Sequence, residues 1–400
     1  MSWSEKSLDQ LGFVSRGRSR HRPRDAVHLY GGQYPFVQTG DVKHAGLYLT
    51  DYSQTYSEEG LAQSKLWPVG TLCITIAANI ADTSILAIDA CFPDSVIGFI
   101  PDPEKADARF VKYLFDAVLK LQYRQFTQGA AQDNLSQAKL LALKFLVPDD
   151  VIEQTRIADF IATYDGLIEN NHRRIQLLEE SARLLYQEWF VHLRFPGHEQ
   201  VKINDGVPEG WCQSSVGELS SYLNRGITPK YDEDGEFVVI NQKCIRNRIL
   251  SLEPARKQSK EFSDEKEVRL GDILINSTGT GTLGRVAQVW DILEKTCVDT
   301  HVTIVRPSDE IPYLWLGYTL LGMEKRLEDM GEGATNQKEL KRQYVSAVQL
   351  LKPPHSLMKL FHETVLENTK QIQNLIKTNK SLAEARDLLL PKLMSGELTV

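Results

Sequence analysis

The chain is written twice, and no other feature constrains its fold as strongly. Leu178–Phe190 (LEESARLLYQEWF) aligns with Leu382–Met394 (LAEARDLLLPKLM) at an offset of 204, so that Leu178, Glu180, Leu184 and Leu185 recur as Leu382, Glu384, Leu388 and Leu389. Gly129-Ala130 recurs as Gly333-Ala334 at the same offset. Val69-Gly70-Thr71-Leu72 matches Leu270-Gly271-Asp272-Ile273 at an offset of 201, and Val37-Gln38 matches Ile240-Asn241 at 203. Blocks in the same order, each about half a chain apart, describe two copies of one unit.

Each copy has the same internal grammar. Short β-branched and aromatic runs between Gly, Pro and Asp predict strands at Tyr34–Gln38, Leu72–Ile76, Phe237–Ile240, Asp272–Asn276 and His301–Val305. Helical stretches follow at Ala108–Phe126 and Tyr313–Asp329, then a Gly-containing loop, then a long closing helix. In the first closing helix Ile157, Ile161, Tyr164, Ile168, Asn171, Ile175, Leu178, Ala182, Leu185 and Trp189 keep a strict 4–3 spacing. In the second, Phe361, Val365, Asn368, Ile372, Leu375, Asn379, Leu382, Arg386, Leu389 and Leu393 take the matching places. Such a spacing sustained over several heptads predicts a coiled-coil seam. Asn171, Asn368 and Asn379 inside it cost stability and are suited to fixing register or partner.

The expected fold is therefore mixed α/β (α+β). It comprises two heads of strands and helices, residues 1–152 and 198–355, and two long helices, 153–197 and 356–400, paired as an antiparallel coiled coil. About 35 helical residues span roughly 50 Å at 1.5 Å per residue. Two heads related by a pseudo-twofold on such a strut form a ruler suited to a split DNA site. Trp189 and Phe190 fall where the first helix leaves the seam, positions suited to capping the coil against a head or anchoring a partner.

Composition narrows the function classes. Of the 400 residues 42% are hydrophobic and 25% charged, as in ordinary globular proteins, and the polar start MSWSEKSLDQ does not resemble a signal peptide, so a cytoplasmic protein is expected. The net charge of −7 argues against a general nucleic-acid coat, yet RGRSRHRPR (Arg16–Arg24) places five arginines in nine residues. Five scattered cysteines lack a C-x-x-C pair and are expected to be buried free thiols, without a metal. Gly279–Gly284 matches G-x-G-x-x-G, but the strand-like Arg285–Trp290 follows it where a dinucleotide site needs a helix, so a glycine-rich hairpin is expected. No G-x-x-x-x-G-K-[ST] occurs, and Lys352-Pro-Pro-His355 lacks the polar lead and closing aromatic of an adenine-methylating loop.

Taken together the chain resembles the specificity subunits of Type I restriction–modification systems. The resemblance runs over essentially its whole length. It is carried by YPFVQTGDV (Tyr34–Val42), GAAQDNL (Gly129–Leu135), VPDDVIEQTRI (Val147–Ile157), LLYQEWFVHLRFPG (Leu184–Gly197), FVVINQKCIRN (Phe237–Asn247), NSTGTGTLGRVA (Asn276–Ala287) and LLLPKLMSGEL (Leu388–Leu398). The resemblance implies a non-catalytic protein whose heads are target-recognition domains, each reading half of a bipartite duplex-DNA site. It also implies that the two long helices, that family's conserved regions, dock two adenine-methyltransferase subunits, with a motor–nuclease (restriction) subunit joining for cleavage. S-adenosylmethionine and ATP then belong to those partners, and this chain carries no cofactor. A coiled-coil scaffold of a related defence complex, without base-specific reading, is the alternative.

Base reading needs hydrogen-bonding side chains in polar loops, with Arg or Lys suited to guanine and Asn or Gln to adenine. In the first head these are Gln38, Thr39, Lys43, Gln128, Gln132 and Asn134; in the second, Asn241, Gln242, Lys243, Asn247, Asn276, Thr278, Thr280 and Lys338. Arg16, Arg18, Arg20, Arg22, Arg225, Lys230, Arg246, Arg248 and Arg285 are candidates for phosphate contacts, which position the protein without specifying sequence.

Overall fold

The computed structural model describes residues 2–77, 80–119, 135–333 and 338–400. Gln128, Gln132 and Asn134, and the end of the helix expected to reach Phe126, lie outside these residues. The chain divides into two compact units, Met1–His172 with Lys377–Val400, and Arg173–Ile376.

The first unit is built on an antiparallel sheet. Strand β1 (Gly12–Arg16) precedes β2 (Tyr30–Phe36), helix α1 (Thr39–His44), β3 (Leu72–Thr75), β4 (Thr83–Leu86), β5 (Val96–Pro101) and helix α2 (Ala108–Leu114). The sheet runs in the order β1-β5-β3-β4, with Tyr48–Leu49 added in parallel at the β4 edge. Alternation along β3 explains why all four of its residues are buried. Leu72 and Ile74 enter a core with Phe110, Val111 and Leu114 of α2, whereas Cys73 enters a second core with Val37, Val42 and Trp67. A strand covered on both faces reads as a continuous apolar run because successive side chains point to opposite faces. The sheet thus separates a helical side from a loop-rich lobe.

The second unit repeats the plan. Strands β6 (Ser220–Arg225), β7 (Phe237–Ile240), β8 (Ile273–Asn276), β9 (Val286–Gln288) and β10 (Val302–Pro307) are followed by helices α4 (Tyr313–Leu321) and α5 (Glu324–Asp329) in its helical side. Its sheet order, β6-β10-β8-β9, matches β1-β5-β3-β4 strand for strand, again antiparallel throughout. Ile273 and Ile275 face the helical core, and Leu274 faces the lobe with Ile240, Cys244 and Val268. The duplication in sequence is therefore a duplication of topology.

Local expectations were refined in physically intelligible ways. The strand expected over Tyr34–Gln38 ends at Phe36, because Gln38 opens α1 and its N–H donates to the Asp41 carboxylate at 2.7 Å. The single helix expected over Tyr313–Asp329 breaks at Gly322 and Met323, where glycine has poor helix propensity. Four cysteines are buried, and Cys212 is exposed, correcting the expectation of five buried thiols: it lies on Cys212–Ser215, in a two-stranded sheet with Gln349–Lys352.

The closing helices are long and continuous. Helix α3 spans Val151–Tyr186, and helix α6, which follows the second unit's strands, spans His355–Met394. All the heptad positions named from the sequence are buried or half-buried. Within the first unit the pairing is antiparallel: Asn171 Nδ2 donates to Asn379 Oδ1 at 2.8 Å, and Arg386 binds Asp165 at 2.6 Å. Tyr113 donates to the other oxygen of Asp165 at 2.7 Å, so the polar Arg386 of the seam is neutralised where it lies. Within the second unit, Phe361 is fully buried and meets Tyr186, Trp189, Phe190 and Tyr318 at ring-centroid distances of 5.2–6.1 Å. Trp189 and Phe190 thus cap the helices against that unit's own aromatic core.

Gln154, in the first turn of α3, braces the fold. Gln154 has no exposed surface, accepts from the Asp107 N–H at 3.1 Å, and donates to the carbonyls of Lys105 and Pro148 at 3.1 and 3.0 Å. Met358, 204 residues on, is equally buried but sits among apolar groups.

Candidate nucleic-acid interface

The loop-rich lobe of each unit, on the sheet face opposite the helical core, carries most of the candidate residues. In the second unit β7 runs into a single helical turn, Gln242–Cys244, because the Asn241 side chain accepts from the Lys243 N–H at 2.8 Å and donates to the Pro254 carbonyl at 2.9 Å. Asn241 is thus engaged at both ends of its amide. Lys243 beside it is exposed, and Asn247 lies with Arg248 at the tip of the Ile245–Leu250 hairpin, both at positive φ.

The glycine-rich segment is a hairpin between β8 and β9, as expected, with no helix to receive a pyrophosphate. Gly279 has φ +106°, and a Cβ there would come within 2.3 Å of Thr282 Oγ1 and 3.1 Å of Gln242 Nε2. Glycine is needed for this loop to fold down beside Gln242. Asn276, at the end of β8, is fully buried and donates to the Gln242 backbone carbonyl at 3.1 Å. Thr278 pairs with Glu339 in a bridge, which brings the exposed Thr280 and Lys338 to the same region. Gln242, Thr278, Thr280 and Lys338, far apart in sequence, therefore converge on one rim, with Asn276 buried beneath it.

In the first unit Gln38 occupies the place of Asn241 and is likewise a helix N-cap; its Nε2 donates to Gln54 at 3.0 Å. Thr39 is half-buried and Lys43 exposed, both on α1. These three lie together on one short helix.

The cationic candidates divide into two groups. Arg16 donates to the Asp94 carbonyl at 2.8 Å and Arg22 to the carbonyls of Ser19 and His21 at 2.9 and 2.7 Å. Arg225 pairs with Glu339 at 2.6 Å and Arg248 with Glu324 at 3.1 Å. Among the described residues, the side-chain nitrogens of Arg18, Arg20, Lys230, Arg246 and Arg285 have no hydrogen-bond or ion-pair partner. Lys65, absent from the sequence-derived set, lies 3.7 Å above the Trp67 ring and 4.7 Å from that of Phe13. Burial first, and the neighbouring Arg18 second, hold its ammonium below the usual lysine range. Only three-dimensional proximity reveals it, since a lone lysine in SKLW carries no signal.

A second omission is His301. Its Nδ1 is 2.7 Å from Thr278 Oγ1, and its N–H donates to Asp299 at 2.8 Å. Burial raises the Asp299 carboxyl above its usual range, against the His301 amide that favours its charged form. The sequence showed His301 only as the first residue of a strand. Burial likewise pushes the Cys297 thiol up to about 12, far from a thiolate nucleophile at neutral pH. Among the described residues no cluster of three His, Cys, Asp or Glu is placed to hold a metal ion, and no helix is long and apolar enough to cross a membrane.

The chain is thus a duplicated mixed α/β protein, with a polar lobe on each of two matching sheets and two long closing helices. Residues 2–180 match the family model for the Type I restriction modification DNA specificity domain. The chain is 24% identical over its full length to the Type I restriction enzyme MjaIX specificity subunit of Methanocaldococcus jannaschii, covering 94% of that protein. It is 23% identical, over 99% of both chains, to the Type I restriction enzyme HindI specificity subunit of Haemophilus influenzae. The fold is similar to that of the Type I restriction–modification S subunit from M. genitalium, with a TM-score of 0.60, 17% identity, and coverage of 98% of this chain and 96% of that one. Along its whole length the chain is similar to Type I restriction–modification specificity subunits, and its first 180 residues carry the match to the DNA specificity domain.

Proposed function

We propose that each unit reads one half of a bipartite duplex-DNA target and that the two long helices dock two adenine-methyltransferase subunits, with a motor–nuclease subunit added for cleavage. S-adenosylmethionine and ATP are bound by those partners. The observation that carries this reading is the repetition of one sheet and one polar lobe with different side chains at matching places, Thr39 against Gln242 as the first residue of the lobe helix. Equal scaffolds with unequal hydrogen-bonding ends suit two unequal half-sites, because a threonine hydroxyl and a glutamine amide present different donors and acceptors at different reach. The unpartnered Arg18, Arg20, Lys230, Arg246 and Arg285 supply phosphate contacts that hold the duplex in place.

The test is to co-express the chain with its methyltransferase subunit and map methylated adenines in the host genome. A split motif with two specific halves and a fixed gap, lost without this chain, is expected. Gln242→Ala should relax one half while the other is still read, with a loss of about 1–3 kcal/mol at the affected base pair. Methylation that does not depend on the chain rejects the reading.

A further inference from the structure

Strands β3/β5 and β8/β10 are paired in the same register: Thr75 faces Val96 as Asn276 faces Val302. The residue ahead of each second strand is held by the same backbone hydrogen bond, Ile76 N–H to the Ser95 carbonyl at 3.0 Å and Ser277 N–H to the His301 carbonyl at 2.8 Å. Ser95 and His301 therefore occupy one structural position in the two units, with a small hydroxyl in the first and an imidazole in the second. The His301 side chain has polar company. Thr278 Oγ1 is 2.7 Å from its Nδ1 and 3.5 Å from Gln242 Oε1, so hydroxyl, imidazole and amide form one row. That row is braced from below by buried Asn276, which holds the Gln242 carbonyl, and from above by the close approach of Gly279.

We infer that His301 is a base-reading residue of the second unit, oriented by Thr278 and acting beside Gln242 on the same half-site; this rests on the half-site reading proposed above. A threonine hydroxyl has one proton to give, and His301 Nδ1 is the nearer acceptor. Donation to Nδ1 leaves the proton of the neutral ring on Nε2, which has no partner among the described residues. His301 is exposed, so this N–H is available to solvent or to a ligand. A single fixed donor suits a base-edge acceptor in the major groove, such as guanine O6 or N7, adenine N7 or thymine O4, and it discriminates against the amino group of cytosine. Thr278 is a positioning residue: it sets the tautomer without itself needing to reach the base. With Ser95 in the corresponding place, the first unit lacks this donor, which gives the two units different reading surfaces on the same frame.

The experiment uses the complex of the full chain with its methyltransferase subunit and reads the methylated motif genome-wide, together with relative methylation rates on duplexes varied one base pair at a time. His301→Ser, which installs the first unit's residue, should relax preference at one base pair of one half-site, with a discrimination loss of about 5- to 150-fold, and leave the other half intact. Thr278→Val should blur the same base pair, and Thr278→Ser, which keeps the hydroxyl, should restore it. Unaltered preference at every position in His301→Ser overturns the inference. So does an equal loss across both halves, which marks a folding residue. If the unaltered complex yields no split motif at all, the half-site reading itself fails, and the inference falls with it before any variant is compared.

Discussion

The Asn171–Asn379 pair offers a test in which single and double substitutions move stability in opposite senses. Both side chains are nearly inaccessible, at 7% and 8% exposure, and lie among aliphatic seam residues, with Nδ2 of Asn171 2.8 Å from Oδ1 of Asn379. Replacing either one by Leu leaves the other as a buried amide without its partner, a cost of about 1–3 kcal/mol. Replacing both removes the polar requirement, and each Leu contributes about 1.5–3 kcal/mol of apolar burial against a packing strain of about 1–3 kcal/mol. The double variant should therefore be close to the natural chain or more stable, although two independent losses would sum to about 2–6 kcal/mol. Asn379 also reaches the Ile168 carbonyl at 3.4 Å, a long contact that both schemes lose alike. Urea unfolding followed by far-ultraviolet dichroism reads the difference as a shift in midpoint at constant slope. A double variant as unstable as the sum of the singles would refute the reasoning. If the pair also serves register, the stable double variant should elute as more than one species, because an all-apolar seam no longer penalises shifted or self-associated pairings.

Phe361→Ala empties the centre of the aromatic cluster formed with Tyr186, Trp189, Phe190 and Tyr318, and should cost about 3–5 kcal/mol in thermal or urea unfolding. Burial pushes the Asp107 carboxyl up, but the Arg109 guanidinium at 2.9 Å and the helix-start N–H groups outweigh it and hold the group below the usual carboxylate range. Asp107 therefore contributes stability that is present above about pH 4 and lost as pH falls through its lowered folded value; Asp107→Asn should flatten this part of the stability–pH curve. Because α3 runs unbroken from Val151 to Tyr186, four residues inserted after His172 lengthen it by ~6 Å and shift its seam by half a heptad. Motif mapping should then show an altered gap between half-sites or no methylation, and an unchanged gap rejects the ruler expectation.

Several features were legible in the sequence because they depend on periodicity, which is local. The heptad positions from Ile157 to Trp189 and from Phe361 to Leu393 declare a buried stripe whatever they pack against, since 3–4 spacing places them on one helix face. The duplication was equally visible, and the run Leu72–Ile76 announced a strand, which the structure places at Leu72–Thr75. The hairpin at Gly279–Gly284 followed from the strand-like residues after it. Convergence was not legible. Gln242, Thr278 and His301 meet only because β7, β8 and β10 are brought together by sheet pairing and a lobe helix, and hydrogen bonds between residues 23–36 positions apart leave no trace in either local stretch. Tertiary structure also decided which polar residues were already committed: Asn241 and Gln38 became helix caps, Gln154 an internal brace, and Arg386 the partner of Asp165. A side chain's chemistry is written in the sequence, but whether its donors and acceptors remain free is decided by the neighbours that folding brings within 3 Å.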